Sequence, residues 1–142
     1  MNRYVELKRR QEKEVNEFPM FFAFSKEQFS EGMKKLGLEP DEKDKIYSIG
    51  GGGYFRKSDS EKFKAMLDKH SEEMQKEIDG DTDGSGFIYD MFNYELANHE
   101  YCITCDVTDT LEALNLTMEQ VEADERLLNG LNKARKNQFE QE

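Results

Sequence analysis

Residues 45–57 read Lys45-Ile46-Tyr47-Ser48-Ile49-Gly50-Gly51-Gly52-Gly53-Tyr54-Phe55-Arg56-Lys57. Two runs of β-branched and aromatic residues flank four glycines, the pattern of an antiparallel hairpin closed by a glycine turn. Upstream, Pro19 stops a helix, and Met20-Phe21-Phe22-Ala23-Phe24 reads as a short buried strand. About three short antiparallel strands in the N-terminal half therefore set the class as α+β, with a predominantly helical remainder.

The helices are marked by their ends. Residues 2–17 are rich in helix formers, with a thin apolar stripe through Tyr4, Leu7 or Lys8, Gln11 and Val15. Ser25-x-x-Gln28 is a capping box with Phe24 and Phe29 at the staple positions, and Gly37 ends a helix whose stripe is Phe29, Met33 and Leu36. Ser58-x-x-Glu61 predicts a second box, followed by Phe63, Met66, Leu67, His70, Met74 and Ile78 at helical spacing. Residues 79–86 break that helix, and Phe87, Ile88, Met91, Phe92 and Leu96 resume the period. Asp109-x-x-Glu112 opens a short helix carrying Leu111 and Leu114. Thr117-x-x-Gln120 opens the last one, with Val121, Leu127 or Leu128, and Leu131 inward. The expectation is one domain over 1–142: a helix at 1–17, a strand–helix–hairpin segment at 18–57, and an acidic helical part at 58–142 with a frayed tail at 137–142.

Charge divides the chain unevenly. Residues 1–70 hold 15 Lys/Arg and 13 Asp/Glu, a net of +2; residues 71–142 hold 5 and 18, a net of −13; together they make the −11 of the whole. Between residues 72 and 125 sixteen acids face a single base, Lys76. Such a field repels phosphate backbones and anionic lipid and attracts basic surfaces, so neither nucleic acid nor membrane is an expected partner. The basic cluster Lys8, Arg9, Arg10 and Lys13 is interleaved with Glu6, Glu12 and Glu14 and reads as a solvated helix face. No stretch approaches the roughly 20 apolar residues of a membrane span. The N-terminus lacks the apolar run of a signal peptide, and two cysteines make no secreted disulfide framework, which points to the cytoplasm.

Three segments resemble sites. Asp81-Thr82-Asp83-Gly84-Ser85-Gly86-Phe87-Ile88 matches the start of an EF-hand calcium loop over 81–92, with Asp81, Asp83 and Ser85 as oxygen ligands at positions 1, 3 and 5 and Gly86 at position 6. Position 12, which needs a bidentate Glu, holds Phe92; starting at Asp79 instead brings Asp90 to position 12 but Gly86 to position 8. His99, Cys102 and Cys105 offer three zinc ligands at three-residue spacing, with His70 or Asp106 as possible fourth donors. As a redox pair the two thiols are disfavoured, because nearby Glu100, Asp106 and Asp109 oppose thiolate formation. The glycines at 50–53 lack the Gly-Lys-Ser/Thr of a phosphate loop and run into a strand. No nucleophile elbow or metalloprotease motif is present, so a non-enzymatic protein without a resident cofactor is expected.

The stretches at 17–25, 45–53, 86–92 and 94–101 together resemble a family of small uncharacterised proteins from Firmicutes and their phages and conjugative elements. The resemblance spans nearly the whole chain and implies a mobile-element setting, with no catalytic residue to carry over. With the charge, it sets the functional expectation: an acidic interaction protein that docks on the basic surface of a nucleic-acid-binding protein, in the manner of a DNA mimic acting as an anti-CRISPR or anti-restriction factor. The acids expected to meet that partner are Glu72, Glu73, Glu77, Asp79, Asp90, Glu95, Glu100, Asp106, Asp109, Glu112, Glu119, Glu122, Asp124 and Glu125. A calcium- or metal-binding module using the 81–92 loop is the alternative.

Overall fold

A computed structural model describes residues 2–140. It is an α+β protein with a three-stranded antiparallel sheet in the N-terminal half and helices through the remainder. Helix α1 (Arg3–Glu17) precedes β1 (Met20–Phe22), α2 (Lys26–Lys35), β2 (Ile46–Gly50), β3 (Gly53–Arg56) and α3 (Ser60–Asp79). Then come α4 (Phe87–Asn98), the single-turn α5 (Tyr101–Thr104), α6 (Thr108–Ala113), α7 (Met118–Glu122) and α8 (Glu125–Glu140). Two compact units result: Gln11–Ser71, and the described residues up to Arg10 together with those from Glu72 onward. The division falls inside α1 and α3.

In the Gln11–Ser71 unit the strands lie in the order β1-β3-β2. Gly51 and Gly52, the two central turn residues, have φ of +57° and +81°, the left-handed pair that a tight hairpin turn demands. Successive side chains of β3 point to opposite faces. On one face Tyr54 pairs with Phe21 and Ser48, and there Phe21, Met33, Leu36 and Ile46 form a buried cluster under α2. On the other, Phe55 stacks on Phe63 at 4.6 Å and meets Phe18 edge-on.

Two expected helix starts differ from the sequence reading. The Ser25 hydroxyl does accept the amide of Gln28, but the Gln28 side chain takes the amide of Phe24 at 2.7 Å, one residue short of a reciprocal box. The staple is absent as well, because the Phe24 ring is 80% exposed. Ser58 caps nothing: it lies in a 3-10 turn (Lys57–Asp59), and α3 begins at Ser60. Asp59 organises that entry instead, accepting Arg56 Nε at 2.8 Å while the same guanidinium donates to the Leu36 carbonyl at 3.2 Å.

The other unit is built on α4, whose Phe87, Ile88, Met91, Phe92 and Leu96 are all buried. Leu127, Leu131 and Ala134 of α8 meet them, with Tyr4, Leu7, Tyr101, Leu111 and Val121 completing the core. Each large side chain taken from water there contributes about 1.5–3 kcal/mol. Thr117 and Gln120 form the reciprocal capping box that the sequence predicts. The helix it opens is short, however. The expected single last helix is two, α7 and α8, because Asp124 between them accepts the amide and guanidinium of Arg126 and starts a new helix. The tail is also more ordered than expected. α8 continues to Glu140, with Asn137 Nδ2 and Gln138 Nε2 donating to Asn93 Oδ1 at 2.8 and 2.6 Å. Residues 141 and 142 lie outside the described residues.

Candidate functional site

The Asp81–Ile88 loop spans the short gap between α3 and α4, and its oxygens face inward onto amides. Asp81, buried, accepts Gly84 N–H on Oδ1 at 2.9 Å and the N–H groups of Gly86 and Ile88 on Oδ2 at 3.1 and 3.0 Å. It thus caps the first turn of α4 from outside the helix. Asp83 accepts both the amide and the hydroxyl of Ser85, and the hydroxyl bond holds its carboxyl below the ordinary range. Phe92, at position 12, is fully buried in the core, while Asp90 is half-buried. The three expected oxygen ligands Asp81, Asp83 and Ser85 therefore adjoin, each already engaged with its own loop.

Arg126 ties this loop to α8. Its Nη1 donates to the carbonyls of Ile78 and Asp81 at 3.0 and 2.9 Å, and its Nε and Nη2 hold Asp124. A cation on the last carbonyls of α3 also complements the helix dipole. The bond to Asp124 raises the Arg126 pKa and lowers that of Asp124.

His99, Cys102 and Cys105 are less convergent. His99 ends α4 with its Nδ1 2.8 Å from the Glu95 carbonyl, and both thiols are free and exposed. Glu100 and Cys105 bracket α5 in left-handed conformations, with φ of 56° and 58°. Among the described residues the His99 nitrogens and the two sulfurs do not gather within 4.8 Å of one another. His70, the suggested fourth ligand, belongs to the Gln11–Ser71 unit, where its Nε2 lies 3.1 Å from Glu14 Oε2. That contact holds the Glu14 carboxyl below its ordinary value.

Of the acids expected to meet a partner, Glu72 and Asp79 are exposed on α3, Asp90 is half-buried on α4, and the rest fall into two groups. Glu95 is 1% exposed and is no docking residue: its Oε1 is buried without a hydrogen-bond partner, 3.6 Å from Lys8 Nζ. The i, i+4 step from Met91 places Glu95 on the apolar stripe, a signal present in the sequence. Lys8, correspondingly, is half-buried against Glu95 and over the Tyr94 ring, unlike the solvated lysine expected. Glu73, Glu77 and Asp124 are half-buried and pair with Arg10, Arg3 and Arg126.

The second group is different. Glu100, Asp106, Asp109, Glu112, Glu119, Glu122 and Glu125 are all exposed, and none has an ion-pair partner among the described residues. No Lys or Arg occurs from residue 77 to 125, and Arg126 is engaged internally. Asp109 and Glu112 stand at i, i+3 on α6, and Glu119 and Glu122 do so on α7. Ile103, 75% exposed, lies in the same stretch.

Sequence reading passed over a cleft in the Gln11–Ser71 unit. It has a volume of about 950 Å³ and lies between the Tyr54 face of the sheet and α2, with Phe24, Lys26, Phe29, Lys43 and Ile46 on its walls. No carboxylate lines it. Two smaller clefts, of about 420 and 380 Å³, carry Glu14, Glu17 and Asp59, and Glu77, Asp81 and Asp83 respectively.

No helix among the described residues is long and apolar enough to cross a membrane. No curated protein and no solved structure matches the chain. One family model does, over residues 3–137, and by that match the chain belongs to a family of unknown function, DUF7659.

Proposed function

We propose that this chain is a non-enzymatic interaction protein whose acidic stretch, residues 100–125, docks on a basic protein surface. The observation that carries the reading is the set of seven exposed acids without cationic partners, four of them paired on the short helices α6 and α7. Like charges at i, i+3 each cost about 0.2–0.5 kcal/mol. Glu112 and Glu122, near the C-terminal ends of α6 and α7, oppose the helix dipole, whereas Asp109 and Glu119 in the first turns are favoured by it. Stability alone does not favour such an arrangement, whereas a partner rich in Lys and Arg relieves it. Exposed Ile103 adds apolar area of the kind that anchors interfaces.

Basic surfaces are most concentrated on proteins that grip phosphate backbones. A protein docked there competes with DNA or RNA for the same cations. Encoded by a phage or conjugative element, such a competitor serves as an inhibitor of a CRISPR or restriction nuclease. The test is retention of host proteins on the immobilised chain. Nucleic-acid-binding proteins should be held at low salt, released as salt rises, and displaced by duplex DNA. Retention that ignores salt, or retention of no such protein, sinks the reading.

A further inference from the structure

The 950 Å³ cleft of the Gln11–Ser71 unit departs from the charge of the molecule around it. In a chain of net charge −11, its walls carry Lys26 and Lys43 and no carboxylate. Neither ammonium has an ion-pair partner among the described residues, whereas neighbouring Lys45 is bound to Glu42. Lys43 is held toward the cleft wall, its Nζ 5.9 Å from the centroid of the Phe29 ring. Lys26 opens α2, where the positive end of the helix dipole makes a cation unfavourable. Glu27 shares that first turn but does not line the cleft.

The apolar part of the wall is aromatic. Phe29 stands edge-on to Tyr54 at 5.3 Å, presenting two fixed rings, and Phe24 adds a third that is 80% exposed. Phe24 is kept there by the hairpin: a Cβ on Gly52 would lie 2.7 Å from its Cε1, so the ring occupies space that only glycine leaves open. Ser25, Ser30 and Ser48 supply hydroxyls on the same walls. An exposed aromatic ring, two unpaired cations and hydroxyl donors around one volume describe a ligand with a planar apolar part and a concentrated negative charge. A nucleic-acid polymer is disfavoured by the charge of the whole chain, which a small ligand feels less.

We propose that this cleft binds a nucleoside phosphate, its base against Phe24, Phe29 and Tyr54 and its phosphates between Lys26 and Lys43. Every residue involved lies within the Gln11–Ser71 unit, so the proposal stands apart from docking by the acidic stretch.

Titration of the full chain with ADP, adenosine and pyrophosphate, followed by amide chemical shifts, provides the test. ADP is expected to move the resonances of Ser25, Lys26, Lys43, Ser48 and Tyr54. Adenosine and pyrophosphate should each bind at least about tenfold more weakly than ADP, since each lacks one half of the match. The double variant Lys26→Gln/Lys43→Gln should nearly keep its melting temperature, neither side chain being in an ion pair among the described residues, and lose ADP affinity at least about tenfold. No shift at millimolar ADP, unchanged affinity in the double variant, or pyrophosphate binding as tightly as ADP would each overturn the proposal.

Discussion

The Oδ2 atom of Asp81 accepts the amide of Ile88 at 3.0 Å, so a loop side chain seven residues upstream closes the first turn of α4. Together with the amides of Gly84 and Gly86, three donors converge on one buried carboxylate. Asp81→Ala removes both acceptor oxygens, and with them all three hydrogen bonds, and should cost about 2–3 kcal/mol in urea unfolding. Asp81→Asn keeps one acceptor oxygen and should cost less. A cap acts without metal, so the Asp81→Ala loss should be the same in millimolar Ca²⁺ as in chelator. A loss seen only with calcium would make the loop an ion site.

Gly84 lies against the main chain of α8. With φ of +86° and a Cβ position 2.0 Å from the Arg126 carbonyl oxygen, Gly84→Ala combines backbone strain with a collision against main chain. A loss above about 2 kcal/mol is expected in the same assay. Gly80→Ala, whose new Cβ would meet nothing nearer than 3.4 Å, should change stability by less than about 1 kcal/mol.

Arg126 joins Asp124 to the carbonyls of Ile78 and Asp81 through separate nitrogens. A lysine has one ammonium and cannot span both sides. Arg126→Lys should therefore cost about 1–2 kcal/mol and Arg126→Ala about 3 kcal/mol, read from chemical denaturation. Equal stability of the Lys variant and the parent would show that charge alone suffices.

Acid should weaken the fold through identified carboxylates. Hydrogen bonds from Ser85, Thr108 and Arg126 hold Asp83, Asp106 and Asp124 below their ordinary value of 3.8. A carboxyl with a depressed folded pKa stabilises above the unfolded value, and that stability is lost as pH falls through the folded one. These three groups should thus make melting temperature nearly independent of pH around neutrality and make it fall below about pH 4. The variant with Asn at all three positions should melt lower at pH 7 but show a shallower acid decline; an unchanged decline would place the acid sensitivity elsewhere.

Glu119→Gln/Glu122→Gln separates docking from stability. Removing a like-charge pair on α7 should leave the melting temperature unchanged or raise it slightly, by the equivalent of about 0.2–0.5 kcal/mol. Retention of basic partners on the immobilised protein should fall, and its salt dependence should flatten. Undiminished retention would remove α7 from the docking face.

The capping chemistry shows how far local reading carries. The box at Thr117 and Gln120 forms as its residues dictate, since both partners lie within one turn and nothing else competes for them. At Ser25 the same pattern is diverted: Gln28 reaches the Phe24 amide, while the Phe24 ring settles over Gly52 of the hairpin. At Ser58, Asp59 is drawn to Arg56, a residue that also binds the end of α2. In both cases the local pairing is set beside a long-range contact, Phe24 with Gly52 and Arg56 with the Leu36 carbonyl, that no local motif announces.

Charge behaves likewise. The sequence places the excess acid between residues 72 and 125, but not which carboxylates are free. Glu95 joins the core, Asp81 caps a helix, Asp124 takes Arg126 and Glu73 and Glu77 take Arg10 and Arg3, while the acids from Glu100 to Glu122 and Glu125 stay exposed and unpaired among the described residues. The pairing depends on which helices meet, which only the folded chain specifies.

By itself, the sequence determined the α+β class, the glycine hairpin and the buried stripe of α4, because turn chemistry and apolar period act over a few residues. Tertiary structure alone decided that Lys26 and Lys43, seventeen positions apart, share the walls of one cleft with Tyr54. Such a grouping follows from how strand and helix pack, and neither propensity nor spacing encodes it.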